Sequence, residues 1–410
     1  MSASATAVPV AATASRSLFG SVVALLSSLE LAVVLVVYLG ILTWLGTLAQ
    51  VELGLYRTQQ IYFEGWFVPI LGGVLRIPGA YPVMALMCVN LLFGGIARLN
   101  WNWRNAGVLI THIGIALLFV QGFVKMHYST SGHLTLYEKQ QGASFVSFHD
   151  WELALYQQDG DTVRERVIPS PGFRKASGVV PAVFGSPDLP FAIEVRHFHE
   201  NTTPMPKGPM VQTTMPVVNG VFLQVDAQAP ERERNIAGCY ATIRGGANNQ
   251  VLAEGVLWGL TRDQRRHPFT FEVDGVRWGL DLRRVTQDLP FSVKLDRFVR
   301  VTYPGTELPK EFSSYVTVTD EQGTSESSHI YMNAPLRKDG YVMYQASWGP
   351  ERGGPPYFSQ FEVARNPSDR WSILSCAVIG IGMTIHFLRK LLNYIRSENL
   401  KAAHAKAGAA

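Results

Sequence analysis

Cysteine is nearly absent from this chain of 410 residues, which holds Cys88, Cys239 and Cys376 and no others. No two of them form a Cys-x-x-Cys, which excludes a thioredoxin-like redox motif and a c-type haem attachment site within the chain. Cys239 stands alone in the long central segment, so that segment closes no internal disulfide. Charge is also scarce. Asp, Glu, Lys and Arg make up 17% of residues, against 47% hydrophobic. Four runs lack these charged residues altogether: 31–49, 81–97, 106–124 and 371–388. Each is near the ~20 residues that cross about 30 Å of hydrocarbon. None shows the polar face of a soluble core helix. They read as four transmembrane α-helices.

A cleaved leader is also missing on this reading. The polar start, 1–17, is followed from Leu18 by an apolar run far longer than a signal-peptide core. Residues 18–30, closed by Glu30, read as an interfacial helix before the first span. The basic flanks then set the expected orientation. Arg98 and Arg104 lie between spans two and three, with no acid beside them. Arg389, Lys390, Arg396, Lys401 and Lys406 follow span four, against Glu398 alone. The outer loop 50–80 balances Arg57 and Arg76 against Glu52 and Glu64. Both termini are therefore expected in the cytoplasm, with a multi-pass chain in the inner membrane. Segment 126–369 is then extracytoplasmic. It carries 24 Lys and Arg against 28 Asp and Glu, so the basic excess belongs to the cytoplasmic flanks, 389–410 included. That excess argues for topology and anionic lipid, not for nucleic acid.

The large segment reads as all-β. Short runs such as HLTLYEKQ, WELALYQQ, GVFLQVDAQ and YVMYQASW alternate between Gly, Pro, Asn and Asp clusters. Asp274-Gly275 and Asp339-Gly340 are hairpin signals, because a two-residue type I′ turn needs φ > 0 at both centres. One phrase occurs twice: DLPFAIEVRHF at 188–198 and DLPFSVKLDRF at 288–298 share five of eleven residues. After each copy come a strand, a hairpin and an Asp-Gly hairpin, in the same order. The expected domain is a duplicated, β-sandwich-like unit, with repeat A about 188–285 and repeat B about 288–350. Repeat A carries a Pro-rich insertion over 199–235.

Chemistry is sparse in this domain. No nucleophile triad or phosphate loop is visible, and no catalytic residue is assigned. His197 and His199, with Glu200 beside them, would share a strand face at period two. No third ligand stands near them in sequence, so no metal other than haem iron is expected. Cys239 in CYATI reads as a buried core thiol, the alternative being a thiol facing a ligand. The more informative residues lie in the spans. An ionisable group there is a functional hypothesis by default. His112 lies about 9 Å into span three from its cytoplasmic end, at 1.5 Å per residue. His386 lies near the cytoplasmic end of span four. Imidazole ligates haem iron, so a haem held by both is one reading. For His112 the alternative is a hydrogen bond across the bundle; for His386 it is an interfacial His beside snorkelling Arg389 and Lys390. Two histidines on one side cannot hold the two stacked haems that would carry electrons across a membrane. Trp101 and Trp103 read as interfacial anchors.

Several motifs together resemble the ResB family of cytochrome c biogenesis proteins (system II). Gly46, Thr47 and Gln50 in LGTLAQ match its Gly-Thr-x-x-Gln signature. His112 and Gly114 match its span-three His-x-Gly. Asn333, Pro335, Leu336, Gly340, Tyr344 and Gln345 match its outer-domain signature. The resemblance runs over roughly 30–395. It implies a membrane subunit that helps deliver haem outward and presents apocytochrome c for thioether attachment of haem. It implies haem b as a transient cofactor, held at His112 and shared with a partner; His386 has no clear counterpart. The implied partners are a ResC/CcsA-type haem-handling membrane protein, apocytochrome c and a thioredoxin-like thiol reductant. The partner's Trp-rich motif is absent here, so this chain is the other subunit, a component of the synthase rather than a self-sufficient catalyst. Two other classes stay open on the residues: a membrane-anchored scaffold without haem, and a b-type membrane cytochrome.

Overall fold

The computed structural model describes residues 18–97, 99, 102–160, 162–245, 249–260, 268–306, 308–349 and 357–407. The polar tail 1–17, Arg98 and Trp101 lie outside them. The chain divides into a helical unit (residues up to Val51, Arg57–Tyr128 and from Ser368 on) and a β unit (Glu52–Tyr56 and Ser129–Pro367).

The helical unit contains α1 (Leu18–Leu26), α2 (Leu29–Thr58), α3 (Ala80–Asn90), α4 (Ala106–Tyr128) and α5 (Trp371–Ala407). Among the described residues, three helices are long and apolar enough to cross a membrane: Leu29–Glu64, Ala106–Tyr128 and Trp371–His404. The expected second span, 81–97, is shorter. Regular α-helix ends at Asn90, a π-helical segment follows over Leu91–Ala97, and the apolar helix totals Ala80–Ile96. Sequence counting finds apolar residues but not this change of helix type.

Between α1 and α2 the chain bends at Ser27 and Ser28. Carbonyls freed by such a break need donors. Asn90 supplies them: its side-chain nitrogen donates to Leu26 O at 2.8 Å and Ser28 O at 2.9 Å. Ser28 in turn caps α2, its hydroxyl accepting from Leu31 N at 3.1 Å. Further on, α2 is interrupted at Gly54, whose φ is +74°. Only glycine takes such a φ freely. The following π-helical turn, Gln59–Glu64, brings Phe63 onto Gly46. A small apolar cluster of Leu42, Val68 and Ala80 forms nearby, with Tyr38, Ile61 and Ile77 packed on it. Val68 and Ile77 come from a hairpin, Phe67–Ile70 with Leu75–Pro78.

The antiparallel pair α4 and α5 is packed through small residues. A Cβ added at Gly107 would lie 2.6 Å from His386 N, at Gly114 2.6 Å from Ile379 Cγ1, and at Gly382 2.5 Å from Thr111 Oγ1. Without a hydrophobic drive between helices in lipid, such close approach is what joins them. Gln121 Nε2 donates to Ser372 Oγ at 2.6 Å at the other end of the pair.

All strand pairing among the described residues of the β unit is antiparallel. A four-stranded sheet runs Gln250–Trp258, Gly238–Gly245, Phe191–His199, Ala182–Phe184. A ten-stranded sheet runs Ser325–Tyr331, Pro309–Asp320, Val276–Thr302, Gln141–Asp159, Thr130–Tyr137, Phe358–Arg365, Tyr341–Gly349, Leu336–Lys338. Phe269–Val273 joins it on Val276–Thr302, and Thr162–Pro169 on Gln141–Asp159. Within insertion 199–235 lies a two-stranded ribbon, Thr202–Pro206 with Val221–Val225.

Two separate cores result. One takes Ile193, Val195, Ala241, Ile243 and Leu257 from the smaller sheet and Leu153, Leu155, Leu280 and Leu282 from the larger. The other lies within the larger sheet and joins Val293, Leu295, Val316, Val318 and Ile330 to Leu134, Leu136, Met343, Phe361 and Val363. Strand Val276–Thr302 serves both, shifting register between Arg284 and Thr286, Asp288 and Val293, and Leu295 and Arg297. Both Asp-Gly turns form as expected. Asp274 and Gly275 have φ of 52° and 75°, Asp339 and Gly340 of 49° and 80°.

The repeated phrase adopts one burial pattern twice. Phe191, Ile193, Val195 and Phe198 are buried in the first copy, Phe291, Val293, Leu295 and Phe298 in the second. The last step is three residues rather than two because each copy has a register shift there, near His197 and at Asp296. A bulge of this kind returns the closing Phe to the core face.

Candidate functional site

Three loci carry the residues singled out by sequence. The first is around His112, half-buried on α4. Its ring packs on Gly95 of the π-helical segment, where an added Cβ would lie 2.9 Å from His112 Cδ2. His112 Nδ1 is buried and has no hydrogen-bond partner among the described residues. A buried polar atom left unpaired costs about 1–3 kcal/mol. The described residues thus leave one nitrogen of the His112 ring without a partner.

His386 is also half-buried, but the α4 residue against its backbone is Gly107. At 3.6 residues per turn, His112 is about 140° round α4 from Gly107 and about 160° from Gly114. His112 thus faces the π-helical segment Leu91–Ala97, while the helix face carrying Gly107, Thr111 and Gly114 meets α5. Among the described residues no ring contact joins the two histidines; His386 has Phe387 beside it at 5.5 Å. His112 and Gly114, read as one motif, serve opposite faces of one helix.

The second locus is the end of span one. Gly46 is there because Phe63 lies on it: an added Cβ would be 3.1 Å from the ring. Thr47 Oγ1 donates to Thr43 O at 2.8 Å, a bond within the helix. Gln50 is exposed.

The third locus is the hairpin at 333–345. Tyr331 and Ala334 exchange backbone hydrogen bonds and hold Asn333 in the turn between them. Pro335 follows, Leu336 packs on the second core, and Gly340 completes the type I′ turn. Tyr344 is exposed, while Gln345 points inward. Gln345 Oε1 accepts from Ser314 Oγ at 2.6 Å, and its Nε2 donates to Ser359 Oγ at 2.7 Å and Ser347 O at 2.9 Å. Ser314 and Ser359 are fully buried and 2.7 Å apart. This network ties three strands together inside an apolar core.

Residues 273–354 match the family model described as the ResB-like family. The chain is also 29% identical over 119 residues to Protein NrfI of Wolinella succinogenes, a match covering 27% of this chain and 13% of that protein. The chain thus spans a small part of the length of that relative.

The matched region holds the second DLPF copy and the whole Asn333–Gln345 locus. Gly46, Thr47, Gln50, His112 and Gly114 lie outside it. In the rest of the β unit, His197 takes φ of 49° at the bulge, and its ring lies 5.9 Å from that of Tyr240. Burial lowers both imidazole pKa values, helped by Arg196 for His197 and by His197 for His199. Among the described residues no group of three His, Cys, Asp or Glu could hold a metal. Cys239 is fully buried in the first core, and burial pushes its thiol up to about 12. Sequence reading missed Asn90, Gly95, Ser314 and Ser359. Asn90 alone had a signal, as an amide within an apolar run.

Proposed function

We propose that this chain is a membrane subunit of a cytochrome c synthesis complex, helping to deliver haem across the membrane and presenting apocytochrome c for haem attachment. The observation that carries this reading is the ResB-like match over 273–354 in a chain that also holds three apolar helices of spanning length. Four spans are proposed, Ala80–Ile96 being the short one, in the inner membrane with both termini cytoplasmic and the β unit outside. The two cores, the shared bulge and the matching Asp-Gly turns support a duplicated sandwich.

Haem is cargo on this reading, and when bound it offers iron for axial ligation and vinyl groups for thioether formation. His112 is the proposed ligand from this chain. The second ligand is proposed to come from a polytopic haem-handling partner rather than from His386, because His112 faces away from α5. The β unit holds no group arranged as acid, base or nucleophile among the residues described. Its proposed work is to position apocytochrome c, with thiols kept reduced by a separate thioredoxin-like protein.

The test is an oxidised and reduced absorption spectrum of the full chain, purified in detergent with and without its membrane partner, for wild type and His112→Ala. A b-type spectrum that needs His112, with c-type cytochromes lost when the gene is removed, supports the proposal. A folded wild type free of haem in both preparations overturns the ligand role and leaves a scaffold.

A further inference from the structure

We propose that Gly95 is the positioning residue of His112: the side chain it lacks is the space that the imidazole occupies. A Cβ at position 95 would stand 2.9 Å from His112 Cδ2 and 3.2 Å from His112 Cγ. The Cγ atom is the root of the ring, so the ring cannot evade that Cβ by a small swing; the whole side chain must turn to another rotamer. The added methyl would also meet Leu91 Cδ1 at 3.1 Å, which tightens the site further. Backing α4 away is also closed. Gly107, Gly114 and Gly382 already hold α4 and α5 at the closest approach their backbones permit.

The π-helical form of Leu91–Ala97 belongs to the same device. Short π segments within helices occur frequently at functional sites. Here the segment carries two consecutive glycines with different tasks. Gly94 receives the bend between α1 and α2, its added Cβ falling 2.8 Å from Ser27 O, while Gly95 receives the histidine. Gly122, on the same helix as His112, has no atom within 4 Å of an added Cβ and serves as the control. The consequence for haem rests on the proposed function; the positioning of His112 does not.

The experiment compares wild type, Gly95→Ala, Gly122→Ala and His112→Ala, each as the full chain in detergent. Two quantities are read. In haem-free protein, diethyl pyrocarbonate modification of His112 is followed by mass spectrometry. In protein made with the membrane partner, haem content and the reduced spectrum are recorded. Gly95→Ala should change the rate of His112 modification severalfold and should lower haem content or shift the b-type bands, while Gly122→Ala matches wild type in both. Altered modification in a wild type that binds no haem upholds the positioning and overturns only the haem reading. Unchanged modification in a folded Gly95→Ala overturns the positioning, whatever the haem content. Should Gly95→Ala fail to fold, the double variant Gly95→Ala/His112→Ala decides: recovery of folding supports the clash with the imidazole, and continued failure overturns it.

Discussion

Cys239 shows how burial settles what a residue can do. Its thiol is fully enclosed, and the pKa rises from 9.0 to about 12 because a thiolate there would be stripped of water. The folded chain keeps the proton that the unfolded chain loses first. The stability this provides is intact below pH 9 and falls as pH rises from about 9 towards about 12, by about 1.4 kcal/mol per unit at most. Denaturation of the full chain across that range should show the slope in wild type and a shallower one in Cys239→Ala. Gln345 makes the complementary case, a polar residue kept inside by its bonds. Gln345→Ala leaves the buried hydroxyls of Ser314 and Ser359 with only each other as partners, and should cost about 1–3 kcal/mol by thermal unfolding. The triple change Gln345→Leu, Ser314→Ala, Ser359→Ala should recover much of that loss, since no polar atom is then left unpaired. A single variant as stable as wild type would show that the network contributes nothing net.

At the scale of elements, the α4–α5 pair depends on missing side chains. Gly382→Val should separate the helices, because its Cβ would press on Thr111 and Gly107. The expected cost is about 1–3 kcal/mol, read as a lower thermal midpoint of the full chain in detergent; Gly380→Ala, with open space around it, should match wild type. Equal midpoints for both would remove the packing role of the small residues. The same glycines mark the limit of sequence reading. Alternation exposed the β strands, charge-free runs exposed the apolar helices, and Asp-Gly pairs exposed both type I′ turns, because each is a local property of a few adjacent residues. The bulges at His197 and Asp296, the turn at Gly54 and the π-helical Leu91–Ala97 were not legible. Each depends on packing that local pattern does not show: Phe198 and Phe298 return to buried positions, and Phe63 comes to lie on Gly46. His112 was legible as a candidate because a histidine in an apolar run is costly. The direction it faces was not, since that depends on which neighbour offers a glycine.

For the whole molecule, the segregation of charge carries a prediction about sidedness. The α5 extension holds Arg389, Lys390, Arg396 and Lys401 with Glu398 beside them, whereas the segment 126–369 carries more acids than bases. Positive flanks are retained on the cytoplasmic side, so the basic end of α5 and the hairpin at Asp339-Gly340 should lie on opposite sides of the membrane. The scarcity of cysteine makes this measurable with little background, because Cys239 is enclosed and Cys88 and Cys376 lie in the apolar helices α3 and α5. Asp339→Cys, in an exposed turn, should react with a membrane-impermeant maleimide in intact cells whose outer barrier is opened. Lys401→Cys, also exposed, should react only after the inner membrane is permeabilised. Labelling of both from the same side would rule out the proposed topology, and with it any role for the β unit in meeting apocytochrome c outside. Opposite labelling would put His112, about 9 Å from the Ala106 end of α4 at 1.5 Å per residue, near the cytoplasmic face.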